Sequence, residues 1–308
     1  MRIVVHGQQA FGKSVLEALL ERGENVVGVY CGPDPAQGGR VDPLKEAALA
    51  RGLPVYQPRS FRKGPEVRDE FAALKADLCV MAYVTLIVPD EILNLPTHGT
   101  IQYHPSLLPR HRGPSSINWP IIQGDTRTGL TIFWPDHGLD TGPILLQKEV
   151  EIRDTDTLGT LYFDRLYPMG VAALLEGVDL VKAGKAPKIV QDEAQATYEG
   201  WCKQENVQVD WDKPLQEIWN LVRGADPQPG AWTTFEGTTV QLFDAKKLEG
   251  ATMAAAGEVT IIDESGMTIA AEGGQIQVTR VRAGGPKIGA AEFAKNAGLR
   301  AGARLGRA

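Results

Sequence analysis

Short apolar runs alternate with amphipathic stretches through the first 150 residues of the chain. The runs have the length of buried strands, and the stretches between them place apolar residues three and four positions apart, as helices do. This order of strand and helix predicts a mostly parallel sheet with helices on both faces. The predicted elements are, in chain order, RIVVH, FGKSVLEALLERG, NVVGVYC, DPLKEAALARG, LPVYQP, PEVRDEFAALKA and DLCVMAY.

Further strands are predicted at GTIQYH, TGLTIFW and ILLQKEVEI. The link between the last two is so short that we expect them to be antiparallel, which makes the sheet mixed. TDTLGTLYFDRLYPMGVAALLEGVDLVKAG has a polar start and a glycine stop, and it predicts one helix that packs on the sheet. In such a sheet the ligand crevice lies at the carboxyl ends of the strands.

The pattern changes after the long predicted helix. Residues 187–203 are polar without a clear period, which predicts a linker. A helix at PLQEIWNLVRG and five short apolar runs separated by glycine and acidic turns follow. Such runs predict a small antiparallel barrel or sandwich. The predicted organisation is therefore a first domain over 1–186, a linker over 187–203 and a C-terminal domain over 204–308.

The amino-acid composition indicates a globular protein and argues against membrane proteins and metalloproteins. Hydrophobic residues make up 43% of the 308 residues and charged residues 23%, which is ordinary for a globular protein. No apolar run is long enough for a membrane span, so we expect no membrane partner and a cytoplasmic location. The three cysteines and five histidines lack the spacing of metal ligands, so no metal is expected. The net charge of −6 argues against a dedicated nucleic-acid binder.

The stretch IQYHPSLLPRHRG at 101–113 carries the first candidate chemistry. Pro105 fixes a dihedral and removes a hydrogen-bond donor, so it ends the strand directly after His104, and Pro109 stiffens the loop further. A strand that ends at His104 delivers the imidazole to the functional edge, where a rigid loop can hold it against a substrate. A histidine that merely caps a loop is an equally open alternative.

The stretch DHGLDTGPI at 136–144 is a tight turn with two acids, Asp136 and Asp140. Gly138 and Gly142 allow unusual backbone angles in it. An ordinary turn is the alternative, because turns favour aspartate. If the two loops leave neighbouring strands at the same edge of the sheet, a carboxylate can reach the imidazole. Such a pair can hold a developing oxyanion or transfer protons.

Together these motifs resemble the formyltransferase family that uses 10-formyltetrahydrofolate. The resemblance is carried by YHPSLLPRHRG, SSINW, IFW, GLDTGPILLQKE, KAPKI, ATYEG and PGAWT. It runs from residue 1 to about 245, and it is closest to the hydrolase domain of 10-formyltetrahydrofolate dehydrogenase, with methionyl-tRNA formyltransferase next. It implies an α/β fold, with a mixed, mostly parallel Rossmann-like sheet followed by a small β-rich, barrel-like C-terminal domain.

The resemblance implies roles for three residues. His104 is then the general acid or oxyanion stabiliser, and Asp140 orients that imidazole and positions the attacking water or amine. The family's third polar residue is an asparagine two positions before the histidine, and here that position is Gln102. The additional methylene displaces its amide by about 1.5 Å. Gln102 is therefore either a third catalytic group or a bystander.

The resemblance also implies 10-formyltetrahydrofolate as formyl donor, with no metal, and a binding crevice for it. The pterin is expected against an apolar stretch and the turn that contains the two acids, and the basic loop is expected to attract the glutamate tail. Core packing for the apolar stretch and a solvated face for the basic loop are the alternatives. The candidate binding residues are Leu86, Ile87, Val88, Ser106, Leu107, Leu108, Pro109, Arg110, Arg112, Asp136, Gly138 and Leu139.

Four functions compete. Hydrolysis of 10-formyltetrahydrofolate to tetrahydrofolate and formate leads, because the dehydrogenase-type likeness is greatest. Methionyl-tRNA formylation is the first alternative, although residues 204–308 carry 11 lysine and arginine residues against 13 acidic ones, which disfavours tRNA as a partner. N-formylation of an amino sugar on a nucleotide and non-catalytic folate binding are the others. The acceptor is therefore water or an amine.

Overall fold

The computed structural model describes residues 1–35, 39–62 and 65–306. The chain divides into two compact units that are both discontinuous in sequence. The first comprises residues 1–113, 129–150 and 164–198, and the second comprises residues 114–128, 151–163 and 199–308. The continuous boundaries predicted above, 1–186, 187–203 and 204–308, stay predictions.

A seven-stranded sheet forms the centre of the first unit, in the order β3-β2-β1-β4-β5-β6-β7. Strands β1 to β5 pair in parallel, and β6 pairs antiparallel with β5. The prediction of a mixed, mostly parallel sheet is confirmed. The strands are β1 (Arg2–Gly7), β2 (Asn25–Tyr30), β3 (Val55–Tyr56), β4 (Leu78–Ala82), β5 (Thr100–His104), β6 (Arg127–Phe133) and β7 (Ile144–Glu151).

The predicted amphipathic stretches form helices, and further helices, among them Asp90–Leu93 and Ala290–Ala297, were not predicted. They are α1 (Gln9–Glu21), α2 (Pro43–Ala50), α3 (Glu66–Ala73), α4 (Asp90–Leu93), α5 (Asn118–Gln123), α6 (Leu158–Leu161), α7 (Tyr167–Lys182), α8 (Leu215–Gly224) and α9 (Ala290–Ala297). The single long helix predicted after β7 consists of α6, a π-helical turn over Tyr162–Leu166 and α7, without a gap in the chain. Helix α2 shows how local chemistry sets a boundary, because the Asp42 carboxylate accepts from the Leu44 N–H and Pro43 occupies the first turn.

Alternate residues of the parallel strands are buried on opposite faces of the sheet. Ile3, Val5 and Val80 belong to one apolar cluster, together with residues of α1 and α7. Val4 and Met81 belong to a second cluster, together with residues of α3 and α4. Burial on both faces explains why these strands are continuous apolar runs rather than alternating ones.

The second unit contains an antiparallel sheet in the order β10-β11-β12-β9-β8, with a short β13 paired to β12. Helix α8 buries Leu215, Ile218, Trp219 and Val222 in the apolar cluster of this unit. The prediction of an antiparallel, β-rich C-terminal domain is confirmed. Its strands are β8 (Trp232–Phe235), β9 (Thr238–Glu249), β10 (Val259–Asp263), β11 (Gly266–Ala271), β12 (Gly274–Arg282) and β13 (Ile288–Gly289).

None of the helices in the described part of the chain combines the length and the hydropathy that a bilayer crossing requires.

Candidate active site

His104 is the last residue of β5, and its side chain is buried with only 5% exposure. The Nε2 atom lies 2.9 Å from the carbonyl oxygen of His111. A carbonyl oxygen can only accept, so Nε2 carries the hydrogen in this contact. The loop that follows β5 therefore turns back towards His104, and its His111 carbonyl holds the imidazole.

A hydroxyl and an amide brace this loop from the neighbouring strands. The Thr131 Oγ1 donates to the carbonyl of Ser106 at 2.7 Å and accepts from the N–H of Leu108 at 3.1 Å. The Gln147 Nε2 donates to the carbonyl of Leu108 at 2.8 Å and to the Thr131 hydroxyl at 2.9 Å. Buried backbone groups that are satisfied in this way keep a loop in one conformation.

Asp140 lies in the loop between β6 and β7 and is 8% exposed. Its Oδ2 lies 3.7 Å from Nδ1 of His104 and accepts from the N–H of Gly113 at 2.9 Å. The carboxylate therefore joins the imidazole to the far end of the His104 loop. The structure brings together the two residues that the sequence singled out as a pair.

The route to this contact is not the one considered above, in which both loops leave neighbouring strands at the same edge of the sheet. Because β5 and β6 are antiparallel, His104 lies opposite Thr131 and Gln102 lies opposite Phe133. Strand β6 thus runs towards the amino end of β5 before its loop begins. The loop over 134–143 must therefore turn back to carry Asp140 to His104, and the contact does not depend on two loops that leave the same edge.

The turn that carries Asp140 is held by its own groups. The Asp136 Oδ1 accepts from the N–H of Gly138 at 3.0 Å and from the Thr141 hydroxyl at 2.6 Å. Asp140 has a left-handed φ of 57°. A Cβ atom added to Gly142 would collide with the carbonyl oxygen of Trp134, so only glycine fits this close approach.

Residues 189–198 pass beside both loops, and we call them the bracing segment. Ile189 forms an isolated bridge with Ile144. The Thr197 N–H donates to the carbonyl of Pro109, and its hydroxyl accepts from the N–H of His111 at 2.8 Å. The sequence pattern indicated only a linker here, because a segment that pairs with loops through scattered single bonds has no period.

Arg112 points into this segment rather than towards solvent, and it is 7% exposed. Its guanidinium donates to the Gln191 Oε1 at 2.8 Å and to both carboxylate oxygens of Glu193, at 2.7 and 2.9 Å. Hydrogen bonding to Glu193 raises the pKa of Arg112, and the same contact lowers the pKa of Glu193. Arg112 therefore joins the His104 loop to the bracing segment, whereas Arg110 is exposed.

The other candidate binding residues fall into two groups. Ile87 is 59% exposed and Leu139 is 51% exposed, although both are apolar. Several others are buried or partly buried. Val88 and Leu86 pack with the second apolar cluster of the sheet, and Leu108 packs against Phe133 and Ile144. The side chains available at the surface are therefore Ile87 and Leu139, with Leu107 and Pro109 half-buried and Ser106 fully buried.

Gln102 occupies the position two residues before His104 on the same strand. The alternation of a strand directs both side chains to the same face of the sheet. Its side chain is half-buried. Within the described part of the chain the Gln102 amide makes no side-chain hydrogen bond, in contrast to His104 and Asp140.

The structure offers no metal centre among the residues it describes, since no three histidine, cysteine or acidic side chains converge there. The thiols of the three cysteines are held in the neutral form. Burial raises the pKa of Cys31 and Cys202 to about 11 and that of Cys79 to about 12.

Comparison with known proteins places the chain in a family. The model of the formyl transferase family matches residues 1–178, and that of the formyl transferase C-terminal domain matches residues 202–298. The cytosolic 10-formyltetrahydrofolate dehydrogenase of Xenopus laevis is 45% identical over 247 residues, which are 79% of this chain and 27% of that protein. The chain thus spans about a quarter of the length of the dehydrogenases it matches. A methionyl-tRNA formyltransferase of Bacillus licheniformis is 38% identical over 99% of this chain and 98% of its own.

Solved structures agree on the fold. HypX from Aquifex aeolicus in complex with tetrahydrofolic acid has a TM-score of 0.71 at 21% identity, over 96% of this chain and 47% of that one. The N-formyltransferase from Helicobacter canadensis, in complex with folinic acid and dTDP-3-aminofucose, has a TM-score of 0.69 at 17% identity, over 90% and 98% of the two chains. The chain therefore belongs to the formyl transferase family of enzymes.

Proposed function

We propose that this chain removes the formyl group of 10-formyltetrahydrofolate and that water is the acceptor, so that tetrahydrofolate and formate are released. The observation that carries the proposal is the buried pair of His104 and Asp140, with 3.7 Å between Nδ1 and Oδ2. The similarity to proteins named 10-formyltetrahydrofolate dehydrogenase supports the choice of folate.

In the proposed reaction a water oxygen attacks the formyl carbon and the carbonyl oxygen becomes an oxyanion. His104 stabilises that oxyanion or gives a proton to the departing folate nitrogen, and Asp140 orients the imidazole and accepts from the attacking water. The carbon–nitrogen bond then breaks, the nitrogen keeps its electron pair and gains a proton, and formate leaves. Both groups are nearly buried, which strengthens their electrostatic effect on the oxyanion.

The proposed folate site uses the surface around this pair. Ile87, in the loop after β4, and Leu139, next to Asp140, expose apolar side chains on which a flat pterin ring can pack. Arg110 is exposed on the His104 loop and is proposed to attract the glutamate carboxylates of folate. Arg112 is proposed only as a brace of the site, because Gln191 and Glu193 occupy its guanidinium.

Methionyl-tRNA is the second candidate acceptor, favoured by a relative that matches over 98% of its own length. In that case an amine nitrogen replaces water in the attack on the formyl carbon. The charge of the C-terminal region opposes it, because residues 204–308 carry a net charge of −2 and nucleic-acid affinity depends on cationic contacts with phosphates.

One experiment separates the candidates. Purified protein is incubated with 10-formyltetrahydrofolate, alone or with methionyl-tRNA or an amino sugar on a nucleotide, and tetrahydrofolate, formate and formylated product are measured. Hydrolysis predicts equal amounts of tetrahydrofolate and formate without an amine. Turnover that requires an amine, with formylated product equal to tetrahydrofolate, would replace hydrolysis by transfer to that amine.

A further inference from the structure

The side chain of Gln191 is 5% exposed and uses every hydrogen-bonding group it has. Its Nε2 donates to the carbonyl of Asp140 at 2.9 Å and to the carbonyl of Gly142 at 2.7 Å. Its Oε1 accepts from Nε and from one terminal nitrogen of Arg112, at 3.2 and 2.8 Å. Since carbonyls only accept and guanidinium only donates, the orientation of this amide is fixed by its partners.

These contacts act on the backbone of the residue that faces His104. Asp140 has a φ of 57°, in the left-handed region that a residue other than glycine adopts at a cost. The two carbonyls held by Gln191 flank Thr141, so the amide bridges the turn directly after the strained residue. Arg112, which belongs to the His104 loop in the same unit, donates to the oxygen of this amide.

We propose that Gln191 is a positioning residue for catalysis, which fixes the backbone of Asp140 so that its carboxylate meets the imidazole. This inference rests on the proposed function and assigns Gln191 no contact with substrate. Through Arg112, the amide connects the loop that carries the acid to the loop that follows His104, in addition to the bond from the Gly113 N–H to the carboxylate. Without it, the Gly113 N–H still holds the carboxylate, but the backbone carbonyls of Asp140 and Gly142 lose the amide that fixes them.

Two substitutions separate the contributions of the amide. Gln191→Met keeps the approximate length of the side chain but removes all four hydrogen bonds. Gln191→Glu can still accept from Arg112, but it places a carboxylate against two carbonyl oxygens and cannot donate to them. Gln195→Met is the matched control, because Gln195 lies in the same segment, is exposed and donates to Asp192 rather than to the loops of the site.

The kinetic test is a double-mutant cycle that combines the Gln191 variants with Asp140→Asn. The kcat of each variant for 10-formyltetrahydrofolate is compared with that of the wild type. We expect Gln191→Met and Gln191→Glu to lower kcat about 10- to 100-fold, as for small misplacements of a catalytic group, with KM changed less than about threefold. In the Asp140→Asn background Gln191→Met should lower kcat less than about twofold, since its effect passes through Asp140. Equal losses in both backgrounds would overturn the proposal, as would unchanged kcat in both variants.

A spectroscopic test does not depend on turnover. The imidazole resonance of His104 is identified by its loss in His104→Gln. Asp140→Asn should shift this resonance, Gln191→Met should shift it in the same direction, and Gln195→Met should leave it in place. An unmoved resonance in folded Gln191→Met and Gln191→Glu would refute the positioning role. A wild-type protein that releases no tetrahydrofolate would refute the proposed function instead. The shift of the His104 resonance would still test whether Gln191 positions Asp140.

Discussion

Nδ1 of His104 lies 3.7 Å from Oδ2 of Asp140, although the strand before Asp140 runs antiparallel to the strand that His104 ends. The contact exists because the loop over 134–143 turns back along β5. It is held there by the Gly113 N–H at the carboxylate and by Gln191 at the backbone. The pair is thus a product of two loops and a third segment that braces them.

The first prediction concerns this pair. His104→Ala and Asp140→Ala should each lower kcat for 10-formyltetrahydrofolate about 100-fold or more, because general acid–base groups contribute at that scale. The double variant should be little worse than either single one, since groups that act as a unit are not additive. Steady-state kinetics of the three variants measures this, and fully multiplicative losses would show that the two side chains act separately.

The second prediction concerns Gln102. Its amide has no side-chain hydrogen bond within the described residues, and its added methylene displaces the donor from the position that asparagine would reach. We expect Gln102→Ala to change kcat less than about threefold, and Gln102→Asn to raise it by restoring the shorter donor. An oxyanion donor is worth about 3–4 kcal/mol in the transition state. A loss of a hundredfold or more in Gln102→Ala, with no gain in Gln102→Asn, would instead identify Gln102 as a working oxyanion donor.

The third prediction concerns stability at acid pH. His6 is buried against the rings of Phe61 and Tyr30, and burial lowers its pKa to about 3. The unfolded chain, with a histidine pKa near 6.5, therefore binds a proton that the folded protein does not. The contribution of His6 to the free energy of unfolding is fully present above pH 6.5. It is lost as the pH falls towards 3.

Between pH 7 and pH 5 the loss from His6 should be about 2 kcal/mol. His6→Gln should remove this part of the pH dependence, whatever it does to stability at pH 7. Urea unfolding at the two pH values measures the slope, with His98→Gln, at an exposed position, as the matched control. An equal slope in wild type and His6→Gln would contradict a neutral, buried His6.

The fourth prediction concerns nucleic acid. The C-terminal residues 204–308 have a net charge of −2, which opposes the accumulation of a polyanion, and nucleic-acid affinity depends on cationic contacts with phosphates. Binding to initiator tRNA at physiological salt should be weak, and its affinity should fall only shallowly as salt is raised. A filter-binding titration over a salt series checks this, with a polyuridine of equal length as the non-specific control. A steep salt dependence together with formylated methionyl-tRNA at the rate of folate consumption would make tRNA the acceptor.

The fifth prediction tests the close approach in the Asp140 turn. Gly142→Ala places a Cβ against the Trp134 carbonyl, which is backbone and cannot move without the loop. We expect the kcat of Gly142→Ala to fall, as in the Asp140 variants. We also expect the melting temperature of Gly142→Ala to drop. Gly184→Ala is a control at a glycine with open space around it, although its left-handed φ adds some strain of its own. A Gly142→Ala protein with normal turnover would mean that the turn tolerates displacement.

Much of the architecture follows from the sequence alone. Apolar runs buried on both faces and amphipathic helices between them determine the parallel sheet, and His104 followed by Pro105 determines where β5 ends. The pairing of His104 with Asp140 was also predictable, but through the family resemblance, since turns favour aspartate on any fold.

Only the tertiary structure decided how that pair is built. The antiparallel register of β5 and β6 is a long-range property, so no local pattern could show that the Asp140 loop must turn back. The bracing role of Gln191 and Thr197 depends on single hydrogen bonds between segments about 50 and 90 residues apart, which leave no period in the sequence. Arg112, which looks like a ligand for carboxylates in the sequence, is bound to Glu193 and Gln191, because a cation that folding buries needs partners of its own.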